Sequence, residues 1–234
     1  MNISPARLNL PESRVVSALG AHLGTLTTIT LWHDFLCPWC WVAWVQAEKL
    51  KAEFGVTFDW RGAELFPPAL NHKPAPPKSV DPDAPPAPKT RFDLFVEAEG
   101  IAMPTPRPHF ADMHSALLAS EYVAVEHSAE TANAFIAAIY RAYWERQADV
   151  ADRAILAQIA ESVGVPASPM RESVASEQYA ENILGFDDDA YAAGIRHVPT
   201  FVFGGEERLA EAPYTSLAHA TERFLIRLEK YKNL

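Results

Sequence analysis

Two cysteines make up the whole thiol content of this 234-residue chain, and they stand three positions apart, Cys37 and Cys40 in the run DFLCPWCWVAW. A pair so spaced can clip a metal, close a structural bridge, or act as a redox reagent. Zinc needs four ligands and the pair supplies two. The histidines that could complete the set, His109 and His114, form an H-x4-H pair. They follow far beyond the roughly 12 to 20 residues of a compact finger, and a proline inside a zinc knuckle is atypical. In a reducing compartment a permanent bridge is disfavoured as well.

The redox reading rests on where the pair must sit. Upstream, LTTITLW (Leu26 to Trp32) is short, apolar and β-branched, which predicts a buried strand. Downstream, PWCWVAWVQAEKLKAEF (Pro38 to Phe54) has helical spacing, with Pro38 suited to the first turn and Gly55 as the stop. Cys37 then lies where a strand ends and a helix begins, facing unpaired backbone N–H groups and the positive end of the helix dipole. Cysteines at such positions are shifted toward the thiolate, the form that attacks disulfides. Cys40, one turn later on the same face, is placed to resolve a mixed disulfide on Cys37.

A second strand is expected within VTFDWRGAEL (Val56 to Leu65), so strand, helix and strand make a βαβ unit. Between Pro67 and Pro108 the chain holds twelve prolines, with only TRFDLFVEAEG helical among them; the rest reads as irregular or polyproline-like. Four or five helices are expected next, from ADMHSALLASEYVAVEH through ETANAFIAAIYRAYWERQ, DRAILAQIAESVG and SPMRESVASEQY to FDDDAYAAG. Strand character returns at HVPTFVFGG, followed by a weak ERLAEA and a last amphipathic helix, YTSLAHATERFLIRLEKY. The fold class predicted is α/β. Residues 1–65 and 196–234 form the two parts of one β-bearing domain, and 66–195 are a helical insertion entered through the proline-rich segment.

Composition excludes several function classes. Net charge is −10 and 49% of residues are hydrophobic, so the chain can build a real core, and it carries no basic run that would track a phosphate backbone. Nucleic acid is not an expected partner. The stretch Val15 to Leu26 is broken by Ser17, Gly20, His22 and Gly24 and makes a poor signal sequence, and no stretch reaches the 18 to 20 apolar residues of a membrane span. No membrane partner and a cytoplasmic location are the expectations. The chain is expected to be a monomer or a homodimer.

CPWC after an apolar strand, with HVPTFVF near the C-terminus, resembles the thiol:disulfide oxidoreductases of the DsbA superfamily, and within it the FrnE-like branch. The resemblance spans Leu26 to the end; VTFDWRGAEL is similar to the family's second strand and RAYWERQADVADRAILAQIAESVG to its inserted domain. It implies a thioredoxin-like fold with a large all-helical insertion between the second and third core strands. By position it makes Cys37 the attacking cysteine, Cys40 the resolving one, and Pro199 a cis proline. X-Pro bonds are cis in only about 5 to 6% of cases, so this last expectation comes from the family alone. It would set the Val198 backbone beside the dithiol for an extended substrate to pair with. No bound cofactor is implied beyond the dithiol, with glutathione an optional co-substrate.

Two departures stand out. Many relatives carry a buried carboxylate six residues before the attacking cysteine, where this chain has Leu31. Proton transfer from Cys40 needs another route, and Asp34 and His33 are the nearest candidates against a plain capping or turn role. Between the cysteines stands Trp39 where the strongest oxidant of the superfamily has a histidine, which places the expected potential between roughly −120 and −270 mV. Four of the six tryptophans lie between Trp32 and Trp44. Trp41 and Trp44, at helical spacing, are expected in the core. Pro38, Trp39 and Val198 are expected to face substrate, Trp39 as an apolar rim. Asp187 to Asp189 match no calcium loop and read as helix capping. The leading function is thiol-disulfide exchange. The alternative is a glutathione-dependent isomerase or transferase of the kappa or 2-hydroxychromene-2-carboxylate type, whose members generally place a serine at the active position. A zinc-stabilised scaffold is the non-enzymatic reading.

Overall fold

The computed structural model describes residues 27–72, 87–185 and 188–232. The stretch Val15 to Leu26, the middle of the proline-rich segment and Asp187 lie outside the described residues. Strand β1 (Thr28–His33) buries alternate residues, Ile29, Leu31 and His33. Helix α1 (Pro38–Phe54) returns the chain to β2 (Thr57–Gly62), which runs parallel to β1 with Thr28 opposite Thr57 and His33 opposite Gly62. A parallel pair requires such a crossover. Gly55 ends α1 at φ 65°, with its N–H bonded to the Lys51 carbonyl at 3.0 Å. Glycine adopts that left-handed cap without a Cβ clash.

The second half of the sheet comes from the far end of the chain. β3 (Thr200–Phe203) pairs antiparallel with β1, placing Phe201 against Leu31, and β4 (Glu207–Ala210) pairs antiparallel with β3. The order is β2-β1-β3-β4. β3 is buried at every residue while β4 alternates, as befits a covered inner strand and an edge strand. A final helix, α8 (Tyr214–Lys232), packs on α1 and β3.

Between β2 and β3 the described elements are helical: α2 (Arg91–Ala98), α3 (His114–Glu126), α4 (Ala129–Tyr140), α5 (Arg153–Ser162), α6 (Ala167–Ala175) and the short α7 (Asp188–Ala192), with 3-10 turns at Pro68–Leu70 and Ala180–Asn182. A capping box opens α2: Asp93 N–H donates to the Thr90 hydroxyl, and Thr90 N–H donates to the Asp93 carboxylate at 2.9 Å. Helices α3 and α4 pack against β2 and so carry the insertion to the sheet. The run expected as one helix through Gln147 changes pitch after Tyr140 into a π-turn, Arg141–Glu145, closed by Arg146 N–H on the Arg141 carbonyl at 3.1 Å. Such widened turns re-aim side chains, often at functional sites. Here Tyr140, Tyr143 and Trp144 are all buried. Asp188 and Asp189 open α7, and among the described residues no group of three or more His, Cys, Asp or Glu is arranged to hold a metal ion.

Candidate active site

Cys37 is the N-cap of α1, in extended geometry, and Pro38 occupies the first helical position. No side chain caps this helix end and its first turn holds no acidic residue, and proline contributes no N–H, so the Cys37 sulfur sits at the positive end of a seventeen-residue helix. Both cysteines are free thiols. Cys37 keeps a 6% opening to solvent and Cys40 has none. This asymmetry separates a sulfur that a substrate can reach from one that only its neighbour can reach. Burial, followed by the hydrogen bond and charge of Cys37, pushes the Cys40 thiol well above the ordinary thiol range.

The Val198–Pro199 peptide is cis. The Val198 carbonyl accepts from the Cys37 thiol at 3.6 Å, so a group 161 residues away in sequence forms the opposite wall of the sulfur. Thr200, first residue of β3, donates its hydroxyl to the His197 carbonyl at 2.6 Å and ties the loop before it. His197 itself is exposed.

Leu31 is fully buried against Phe201, so the carboxylate position of many relatives is filled by hydrocarbon. His33 lies inside an aromatic cage of Phe35, Trp60 and Tyr140, with Nδ1 2.9 Å from the Tyr140 hydroxyl. Burial lowers its pKa to about 3, which leaves it neutral and a poor base. Asp34 is also buried, at 1% exposure. Its carboxylate accepts backbone N–H bonds from Leu36 and Leu65, both at 2.8 Å. Those bonds favour the anion, yet burial outweighs them and raises the Asp34 pKa to about 6, with the charges of Glu64 and Asp112 adding to the rise. The Asp34 backbone N–H faces the Cys40 sulfur and favours its anion.

Trp41 and Trp44 are core residues, their rings 4.9 Å apart, with Trp44 stacked on Tyr140. Trp39 is half-buried, packed edge-on against Phe92 with centroids 5.0 Å apart and against Phe95 at 4.9 Å, while the Arg91 guanidinium lies 4.9 Å above its ring. Helix α2 therefore leans over the dithiol turn. Several contributors carry no local signal in the sequence. Tyr140 reaches His33, Trp144 donates its indole N–H to the Phe35 carbonyl at 2.8 Å, and His114 pairs with Glu64 at 3.0 Å. That pairing raises the His114 pKa.

A parallel βαβ unit joined to an antiparallel hairpin and helix, with a CxxC pair at the first helix N-terminus, defines a thioredoxin-like protein. More specifically, residues 28–221 match the model of the DSBA-like thioredoxin domain, and the chain belongs to that family. The Bacillus subtilis (strain 168) protein YwbO, itself uncharacterized, is 22% identical over 179 residues, covering 75% of this chain and 86% of its own. Among solved structures, a 2-hydroxychromene-2-carboxylate isomerase superposes with a TM-score of 0.60 at 17% identity, covering 87% of this chain and 98% of its own. The Streptomyces coelicolor protein SCO1869 gives 0.61 at 19%, covering 85% and 89%. The cytosolic disulfide reductase DsbM of Pseudomonas aeruginosa, determined with GSH, gives 0.55 at 17%, covering 88% and 100%. These likenesses establish a fold shared by oxidoreductases and an isomerase. No helix among the described residues is long and apolar enough to cross a membrane.

Proposed function

We propose that this chain catalyses thiol-disulfide exchange through Cys37 and Cys40, as a member of the FrnE-like branch acting in the cytoplasm on protein or small-molecule thiols. One observation carries the reading: a slightly open sulfur caps a helix N-terminus across from the Val198 carbonyl, and a sealed second sulfur lies one turn behind it. In the reducing direction the Cys37 thiolate attacks a substrate disulfide, forming a mixed disulfide and expelling one substrate thiolate, which takes up a proton. Cys40 then surrenders its proton and attacks the Cys37 sulfur. The Cys37–Cys40 bond forms, the second substrate thiolate leaves, and two electrons have passed to the substrate. The oxidising direction reverses each step. Pro38, Trp39, Val198 and Pro199 bound the surface where the substrate lies.

Cys40 needs a proton acceptor, because burial holds it as the thiol. Asp34 fills that role in this reading. It is ionised above a pH of about 6 and belongs to the turn whose N–H faces the Cys40 sulfur. His33, neutral down to about pH 3, does not compete. Glutathione is the small-molecule couple proposed, and a potential between roughly −120 and −270 mV follows from the absence of a cation between the cysteines.

The test is a purified Cys40→Ser protein incubated with oxidised glutathione and with a disulfide-bonded protein. Exchange requires a mixed disulfide to accumulate on Cys37, visible by mass, and catalytic turnover to stop. Full glutathione-dependent isomerisation by Cys40→Ser, with no trapped adduct, would assign the site to the isomerase chemistry instead.

A further inference from the structure

The turn between β1 and α1, Asp34 to Cys37, closes with the Cys37 N–H on the Asp34 carbonyl at 3.2 Å. Its central peptide joins Phe35 to Leu36 and is the group whose orientation separates the two common turn types. Both ends of that peptide are bound. Its N–H donates to Asp34 Oδ1 at 2.8 Å, and its carbonyl accepts the Trp144 indole N–H, also at 2.8 Å. A peptide group is one planar, conjugated unit, and a donor on its oxygen polarises the N–H at its other edge. Trp144 N–H, Phe35 carbonyl, Leu36 N–H and Asp34 carboxylate therefore form a single cooperative chain. Water is kept from both of its ends, since Asp34 is 1% exposed and Trp144 3%.

Trp144 comes from the inserted helices, 109 residues further along the chain, and the π-turn Arg141–Glu145 presents it. Trp41 and Trp44 are buried as well, yet their indole N–H groups have no hydrogen-bond partner among the described residues. Burial alone does not oblige an indole in this core to find an acceptor, so the Trp144 bond is a particular placement. Among the described residues, the charges of Glu64 and Asp112 oppose ionisation of Asp34, and the Cys40 thiol and the Tyr140 and Tyr143 hydroxyls also lie within its field. Glu64 is paired with His114 at 3.0 Å, and the adjacent His33 is neutral. The anion is favoured by two backbone N–H groups, of Leu36 and Leu65. Trp144 strengthens the first of them.

We propose that Trp144 is a positioning residue for the exchange reaction, acting through the Phe35–Leu36 peptide to hold the Asp34 carboxylate that takes the Cys40 proton. The inference rests on the exchange reading, with Asp34 as acceptor, and gives the helical insertion a part in the chemistry. In the resolving step the proton passes from Cys40 to Asp34 as the Cys40 sulfur attacks Cys37, so Asp34 must be an anion beforehand. Without the indole donor the Leu36 N–H is a weaker partner, the anion is less stabilised, and a higher pH is needed to form it.

The experiment follows two midpoints in the full chain. One is the titration of the Asp34 carboxyl carbon in the reduced protein, read by NMR with isotope-labelled aspartate and identified by its loss in Asp34→Asn. The other is the pH profile of the resolving step, read in stopped flow as release of the second glutathione from the mixed disulfide. In Trp144→Phe both midpoints are expected to rise by about half a pH unit, the scale of a cooperative share in a hydrogen bond to a charged group. In Trp44→Phe, which loses an indole with nothing bonded to it, neither moves. Because Trp144→Phe also shrinks a buried ring, β-(3-benzothienyl)alanine at position 144 repeats the measurement with the ring kept and the donor removed, and the same rise is expected. Unmoved midpoints in both replacements at 144, with exchange proceeding, overturn the proposal and leave the exchange reading standing. An equal rise in Trp44→Phe overturns it too, since packing alone would account for the shift. A carboxyl midpoint that rises while the resolving profile stays in place removes Asp34 as acceptor and overturns the positioning role. If wild type exchanges no disulfide, the exchange reading is what falls, and the carboxyl titration still decides whether Trp144 holds Asp34.

Discussion

Replacing Asp34 by asparagine separates two energies that the wild-type chain combines. The Asp34 carboxyl has an ordinary pKa of 3.8 and in the folded chain one of about 6. A folded-state value raised above the unfolded one stabilises the fold fully below the unfolded pKa, and that stabilisation is lost as pH rises through the folded value. The shift from 3.8 to about 6, at about 1.4 kcal/mol per pH unit, amounts to about 3 kcal/mol in all, of which about 2.5 kcal/mol is lost between pH 4 and pH 7. Asparagine does not titrate, so this slope disappears in the variant. Its single carbonyl can accept from Leu36 or from Leu65 but not both, which leaves one N–H unpaired at a pH-independent cost of about 1 to 3 kcal/mol. The offset and the slope are therefore distinct. His33, whose folded pKa lies near 3, acts with the opposite sign, stabilising above its unfolded value and losing that contribution as pH falls. It is common to both proteins and cancels in their difference. The assay is urea unfolding of both reduced chains at half-unit steps from pH 4 to 7.5. The wild-type free energy should fall relative to the variant by about 2.5 kcal/mol across that range. Parallel curves would refute the buried-carboxyl account and remove Asp34 as the proton acceptor for Cys40. In stopped-flow exchange the same variant should resolve mixed disulfides more slowly above pH 6 than below it, relative to wild type.

Tyr140→Phe deletes the hydroxyl bonded to His33 Nδ1 in a fully buried setting; unfolding at pH 7.5 should show a loss of about 1 to 3 kcal/mol, and a change under 0.5 kcal/mol would contradict the bond's importance. Phe92→Ala removes the ring on which Trp39 rests. A cavity of that size costs about 3 kcal/mol or more, and acrylamide should quench tryptophan emission more readily once the indole is uncovered; unchanged quenching would mean that α2 does not shield Trp39.

Much of the catalytic half of the molecule is written locally. The LTTITLW run, Pro38 and Gly55 each act within a few residues, so β1, α1 and the placement of both cysteines at the helix mouth follow from the sequence alone. β1 runs one residue further than expected, through His33, because the parallel ladder with β2 extends to Gly62. The site's periphery could not be read in this way. His33 and Tyr140 are separated by 107 residues, and Glu64 and His114 by 50; nothing in the spacing of either pair announces a contact. The π-turn after Tyr140 escaped because its helical periodicity continues unbroken through Trp144. Trp39 showed its partial exposure but not its cover, since Phe92 and Phe95 come from a helix set among prolines. Asp34 and His33 appeared as equivalent candidates for the proton, and only burial and hydrogen bonding separate them.

The wall facing Cys37 is the Val198 carbonyl, 161 residues downstream. At a synthesis rate of roughly 5 to 20 residues per second, the ribosome takes on the order of ten seconds or more to make that stretch. During this interval the nascent chain displays a helix-capping thiol beside an unpaired flank of β1, before β3 exists to cover either. Early in its own translation the protein therefore exposes a sulfur that the folded chain closes to a 6% opening, and the wall across from Cys37 is complete only once Val198 has been made.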